Sequence, residues 1–206
     1  MNLRVNIIIA ALIGAMSTAA VFSYFGIGRA PVILPWDKVV QEPAPNDNEE
    51  VHFHANFAVF IKGKWVNFSD KTYMEELQTC AKSAKERSPR DRVHQHEWIG
   101  WLIHVHAPTV TWGHFFANIG WSFGQGYLID RLSTIYNVQN GFKVRYVLNG
   151  VLIFDPFNQP IFSKDRLLID YSKDTDAIVL ERYKQVPATG DEANSKQDPT
   201  TCHGHS

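Results

Sequence analysis

Three His-x-His triplets, His52-Phe53-His54, His94-Gln95-His96 and His104-Val105-His106, constrain this chain more than any other feature. Residues two apart project to the same face only in an extended strand. Each triplet therefore predicts a β-strand with two imidazoles side by side. Neighbouring strands lie about 4.8 Å apart, so a second triplet on the next strand can complete a coordination sphere. Neutral imidazole suits zinc, copper, iron and nickel, whereas calcium and magnesium prefer oxygen.

The flanking residues agree with strands. Val51 to Ile61 alternates, with Phe53, Ala55, Phe57, Val59 and Ile61 on one face, and Lys62-Gly63 predicts a hairpin into Lys64 to Phe68. Val93 to His96 and Trp101 to Ala107 read as two short strands about Trp98-Ile99-Gly100. Asn149-Gly150 marks another hairpin between Phe142 to Leu148 and Val151 to Phe154. Leu167 to Tyr171 and Ala177 to Tyr183 supply the last expected strands. Thr111 caps a short helix that Gly120 stops. Asp70 caps a second expected helix carrying Met74, Leu77, Ala81 and Ala84, and Gly126 to Tyr136 reads as a third. The expected fold is α+β, a single domain with a mainly antiparallel sheet and two or three short helices, preceded by one transmembrane helix.

That last element is the uncharged run from Val5 to Gly28, long enough to cross a hydrocarbon core of about 30 Å. Small residues at Ser17-Thr18-Ala19 offer the alternative of a cleaved signal peptide. Both readings export the remainder: a single-pass cell-membrane protein with an extracytoplasmic domain, or a secreted one. Segments 1–28 (anchor or signal), 29–50 (a proline-rich, acidic linker), 51–186 (the His-rich domain) and 187–206 (a loose polar tail) follow from the composition shifts. The membrane is thus an expected partner. Lysine plus arginine is 20 and aspartate plus glutamate is 21, so the basic surplus of a nucleic-acid binder is missing. No feature of the sequence names a protein partner.

Candidate metal ligands are His52, His54, His94, His96, His104 and His106, for copper or zinc. The last four fit one hairpin, while His52 and His54 need a tertiary contact to join them. Six ligands serve either two metals or one metal with outer members. His114, in the first turn of the short helix, is a packing or outer residue. Glu97 adjoins His96 and is a candidate proton shuttle for a three-His zinc enzyme, in which bound metal lowers the pKa of its water; a solvated turn carboxylate is the alternative. Trp98, Trp101, Trp112 and Trp121 bracket the histidines as wall or core. Cys80 and Cys202 are compatible with a disulfide in an exported protein, and Cys202-His203-Gly204-His205 is a candidate soft metal-loading segment. Storage, sensing or delivery of a metal leads the functional readings. A hydrolase-type zinc enzyme and a cell-surface interaction module without metal are the alternatives.

The order of motifs, VHFHANFAVFIKGKWVNF, then VHQHEWIGWLIHVHAPTVTWGHFFANIGW, then VLNG and KDRLLIDY, resembles a family of small bacterial proteins with an amino-terminal membrane anchor and no established activity. The resemblance spans Val51 to Tyr183 and implies export and one domain. Glu97 and His114 stand where that pattern often has aspartate.

Overall fold

The structure is a computed structural model that describes residues 51–75 and 88–195. The expected anchor, linker, Cys80, the body of the helix after Asp70, and Cys202, His203 and His205 lie outside the described residues. Among the described residues no helix is long and apolar enough to cross a membrane.

The domain is α+β. A seven-stranded sheet runs β3 (Val93–His94), β4 (Leu102–Val105), β1 (Phe53–Ile61), β10 (Arg166–Ser172), β8 (Lys143–Leu148), β9 (Val151–Ile153), with β2 (Lys64–Trp65) paired to the far end of β1. The sheet is mixed: β1 and β10 are parallel, in register Phe57 to Leu167, and the other pairings are antiparallel. A small antiparallel sheet holds β5 (Ser122–Gly124), β6 (Tyr127–Ile129) and β7 (Ile135–Asn137). Four short helices appear among the described residues, where two or three were expected: α1 (Pro89–Arg92), α2 (Trp112–Asn118), α3 (Asp176–Tyr183) and α4 (Gly190–Asn194).

Local signals account for much of this. Lys62 and Gly63, at φ 53° and 77°, and Asn149 and Gly150, at 52° and 83°, form the tight hairpin turns whose two central residues need positive φ. Thr111 caps α2 by accepting from the His114 backbone N–H, and Gly120 follows the helix at φ 77°.

Several expectations are corrected. Residues 126–136 form the β6–β7 hairpin rather than a helix, because Asp130 organises a turn. Its Oδ1 accepts from the Leu132 and Thr134 N–H groups and its Oδ2 from the Tyr136 hydroxyl. Residues 177–183 are helical rather than a strand. Thr175 caps α3 and Asp176 sits in its first turn, and the helix buries Val179 fully while leaving Ile178 exposed. Asp70 caps only a single 3-10 turn, Lys71–Tyr73.

The sheet is buried on both faces. Ala55, Phe57, Val59, Val93, Ile103, Val105, Leu167 and Ile169 face the large aromatic core with α2. Ala58, Phe60, Val147 and Leu168 face a smaller core closed by Val179 and Val186. By the two-residue period, the even-numbered His52, His54, His94, His104 and His106 stand on the second face, in line with Ala58 and Phe60. The polar stretch from Pro187, expected to be loose, continues as structure to Ser195: α4 packs on β1. Asn56 holds it there. Its Oδ1 accepts from the Thr189 and Gly190 N–H groups, and its Nδ2 donates to Trp101 O and Thr189 Oγ1.

Candidate metal centre

Strand register builds the site. His104 on β4 is the cross-strand partner of His54 on β1 and of His94 on β3. Three imidazoles therefore stand in one row across three adjacent strands, with His104 in the middle. The second members of the triplets extend the row: continuing the antiparallel register sets His52 beside His106. His96 lies just beyond β3, where Glu97 and Trp98 turn the chain at φ 58° and 63°. Gly100 completes that turn against the Phe68–Ser69 backbone, donating to Ser69 Oγ at 3.1 Å. A Cβ there would meet Ser69 N at 2.4 Å, so only glycine fits.

The nitrogens converge. His54 Nε2 and His96 Nε2 each lie 2.9 Å from His104 Nδ1. His54, His94, His96 and His104 are all buried. His52, His104 and His106 each offer a ligand atom within 4.8 Å of the other two, with His104 buried, His106 half-buried and His52 the most exposed. The His106 ring stacks between His52, at 4.9 Å, and His94, at 5.0 Å. All six expected histidines are thus brought into one contiguous cluster.

Two outer contacts set the protons. Asn194 Oδ1 accepts from the His54 backbone N–H at 2.9 Å and lies 2.7 Å from His54 Nδ1. Asn194 Nδ2 donates to Ser163 Oγ, which fixes the amide orientation. His54 Nδ1 is therefore the N–H donor, and in the neutral ring the lone pair is on Nε2, aimed at His104. His94 Nδ1 lies 2.8 Å from the Arg90 carbonyl, so it too donates there and keeps its lone pair on Nε2. A ring whose outer N–H is held by a carbonyl or amide oxygen is the arrangement metal-bound histidines take, because it fixes tautomer and ring direction.

His104 Nδ1 is the centre of a hydrogen-bonded set of three rings. One nitrogen shares one proton, so it serves one of its two 2.9 Å neighbours at a time. Among the described residues, the histidines whose ligand atoms lie close enough together to hold an ion are His52, His104 and His106. Tetrahedral zinc bonds of about 2.0–2.1 Å put ligand nitrogens about 3.3 Å apart, inside the 4.8 Å span of that group.

Other expected residues fall outside the nitrogen cluster. Glu97 is exposed, and its Oε2 reaches no closer than 4.0 Å to His96 Nδ1, the ring nitrogen not aimed at His104. His114 closes the α2 cap, its Nδ1 accepting from the Thr111 N–H at 2.9 Å. Trp112 and Trp121 belong to the aromatic core, and Trp98 is exposed. A groove of about 460 Å³ lined by Lys71, Met74, Glu75, Arg90, Glu97 and Trp98 carries none of the six histidines. Asn194 and the Arg90 carbonyl were missed. Neither has a sequence signal, since an asparagine in a polar tail and a backbone oxygen become partners only through tertiary docking.

The fold and site together define an α+β domain with a histidine cluster able to bind a metal. No family model matches the chain, and no curated protein and no solved structure matches it significantly.

Proposed function

We propose that this is a membrane-anchored, extracytoplasmic metal-binding protein that holds copper or zinc through its paired histidines for storage, sensing or delivery. One observation carries the reading: His52, His104 and His106 each offer a ligand nitrogen within 4.8 Å of the other two, while His54 and His96 hold His104 Nδ1 by hydrogen bonds at 2.9 Å. An all-nitrogen donor set suits these two metals. The anchor and the export rest on the uncharged run from Val5 to Gly28.

Binding is favoured over hydrolysis by the placement of the one carboxylate expected to act. A general base must reach the metal's open coordination position, whereas Glu97 stands at the outer edge of the His96 ring and opens on the groove. A cell-surface module without metal is disfavoured by the gathering of three imidazole ligand atoms within 4.8 Å of one another.

Elemental analysis of the purified full chain tests this, with each triplet's two histidines changed to alanine in turn. The unaltered chain is expected to retain zinc or copper through gel filtration. Changing His104 and His106 together is expected to weaken binding more than about 100-fold, beyond the cost of losing an outer partner. Full metal content in all three paired variants contradicts the proposal.

A further inference from the structure

We infer that the carboxyl-terminal tail closes the metal centre: His203 or His205 supplies the fourth imidazole to an ion held by His52, His104 and His106. The inference rests on the metal-binding reading and names the ligand that completes its site. A tetrahedral zinc ion takes four ligands, and three protein ligands leave one position to water or to another donor. Among the described residues, His52, His104 and His106 are the group whose ligand atoms lie within 4.8 Å of one another. The remaining imidazoles are engaged by neighbours. His54 and His96 hydrogen-bond to His104 at 2.9 Å, and His94 Nδ1 lies 2.8 Å from the Arg90 carbonyl. Glu97 stays at the outer edge of His96, 4.0 Å from its Nδ1. A fourth protein donor therefore has to come from outside these residues. It approaches from the side of His52, the most exposed of the three.

The described chain ends next to this opening. α4 is tied to β1 at both ends. The Thr189 and Gly190 N–H groups donate to Asn56 Oδ1, and Asn194 Oδ1 accepts the His54 backbone N–H and lies 2.7 Å from His54 Nδ1. The helix thus runs along β1 from Asn56 towards His54, and the chain leaves it heading for His52. One imidazole separates Asn194 from the ion-holding group, since the His54 ring lies 4.8 Å from the His52 ring and 4.3 Å from the His104 ring. His203 follows Ser195 by eight residues and His205 by ten, so extended spans of about 26 and 33 Å are available. A donor tethered this closely competes with water as an intramolecular ligand. Cys202 is the less durable donor in the oxidising setting expected outside the cytoplasm, where thiols pair as disulfides. Imidazole is unaffected there and matches the other three ligands.

The test compares the full chain with a variant carrying His203→Ala and His205→Ala. Each is stripped with chelator, and zinc affinity is measured by competition with a chelating dye. The tail variant is expected to bind zinc more than about 10-fold more weakly, at least the cost of losing an outer partner, whereas Cys202→Ala is expected to bind as the parent does. With cobalt(II) in place of zinc, added azide is expected to leave the parent's visible spectrum unchanged. It is expected to shift that of the tail variant, whose fourth position holds water. Equal zinc affinities with an azide-sensitive parent overturn the tail ligand while leaving metal binding intact. A loss in Cys202→Ala as large as that of the histidine variant overturns the assignment to imidazole. Undiminished zinc affinity in His52→Ala with His106→Ala means that the tail binds an ion by itself, which overturns the shared site. Failure of the parent to bind zinc or copper removes the metal-binding reading itself. The parent and the two tail variants decide the matter even if the strand variant fails to fold.

Discussion

Replacing Asp170 by alanine is expected to destabilise the domain by about 3 kcal/mol or more, because removing one partner of a buried ion pair leaves the other charge uncompensated. Asp170 is fully buried on β10, facing the second core. Arg182 of α3 donates to its Oδ2, Ser172 Oγ donates to its Oδ1, and Arg145 of β8, its cross-strand partner, lies at 3.9 Å. Both arginines are largely buried, with side chains 12% and 11% exposed. Each keeps a second carboxylate: Asp174 at 2.7 Å from Arg182, and Asp176 at 2.8 Å from Arg145. Those partners place the expected loss at the lower end of the 3–5 kcal/mol range. The Arg182 hydrogen bond also holds the Asp174 carboxyl below its ordinary range. A depressed carboxylate adds stability that is present above its unfolded pKa and is lost as pH falls through its folded pKa. Denaturant titration of the variant, repeated at falling pH, checks both statements. A loss under about 1 kcal/mol would show that the two arginines find full compensation without Asp170.

Phe57→Ala is expected to cost about 3–5 kcal/mol, the range for emptying a buried phenylalanine site. Phe57 is fully buried at the middle of β1. Its ring meets Phe68 at 5.1 Å, Phe115 at 4.9 Å and Phe116 at 5.5 Å, at tilted or edge-on angles, the geometry aromatic pairs prefer. It therefore fastens β1, the irregular segment around Phe68 and α2 together. For a chain of this size the loss lowers the melting temperature by roughly 6–20 °C. The side chain faces away from the histidines, so metal stoichiometry is expected to be unchanged. A ligand at about 100 times its dissociation constant adds about 2.7 kcal/mol, so zinc should recover part of the melting temperature. A drop of under about 3 °C would mean that the three facing rings collapse into the space.

How much of this was legible in the sequence follows the range of the forces involved. The hairpins at Lys62-Gly63 and Asn149-Gly150 and the Thr111 cap are local, set by backbone preferences of two or three residues, and they were read correctly. Ala177 to Tyr183 reads as a strand because its Ile-Val-Leu run has strand character in isolation. What decides it is Thr175 before it and the burial of Val179 on the second core. Residues 126–136 were misread because the Asp130 turn depends on a hydroxyl from Tyr136, six residues on. The parallel pairing of β1 with β10 joins residues more than a hundred positions apart, so no local pattern marks it.

The site divides the same way. The two-residue spacing marked six histidines and their strands. That His54 joins the hairpin histidines follows from β1 lying beside β4, and that its Nε2 rather than its Nδ1 faces His104 follows from Asn194 on a helix in the expected tail. A spacing rule gives which side chains share a face, and the outer hydrogen bonds give which atom each presents.

X-ray absorption at the zinc or copper edge of the metal-loaded full chain tests the histidine centre most directly. A nitrogen-only inner shell at about 2.0–2.1 Å is expected, with the outer scattering of several imidazole rings, weakened when His52, His104 and His106 are replaced. A shell of oxygen or sulfur without imidazole scattering, or one unchanged in that triple variant, would contradict it.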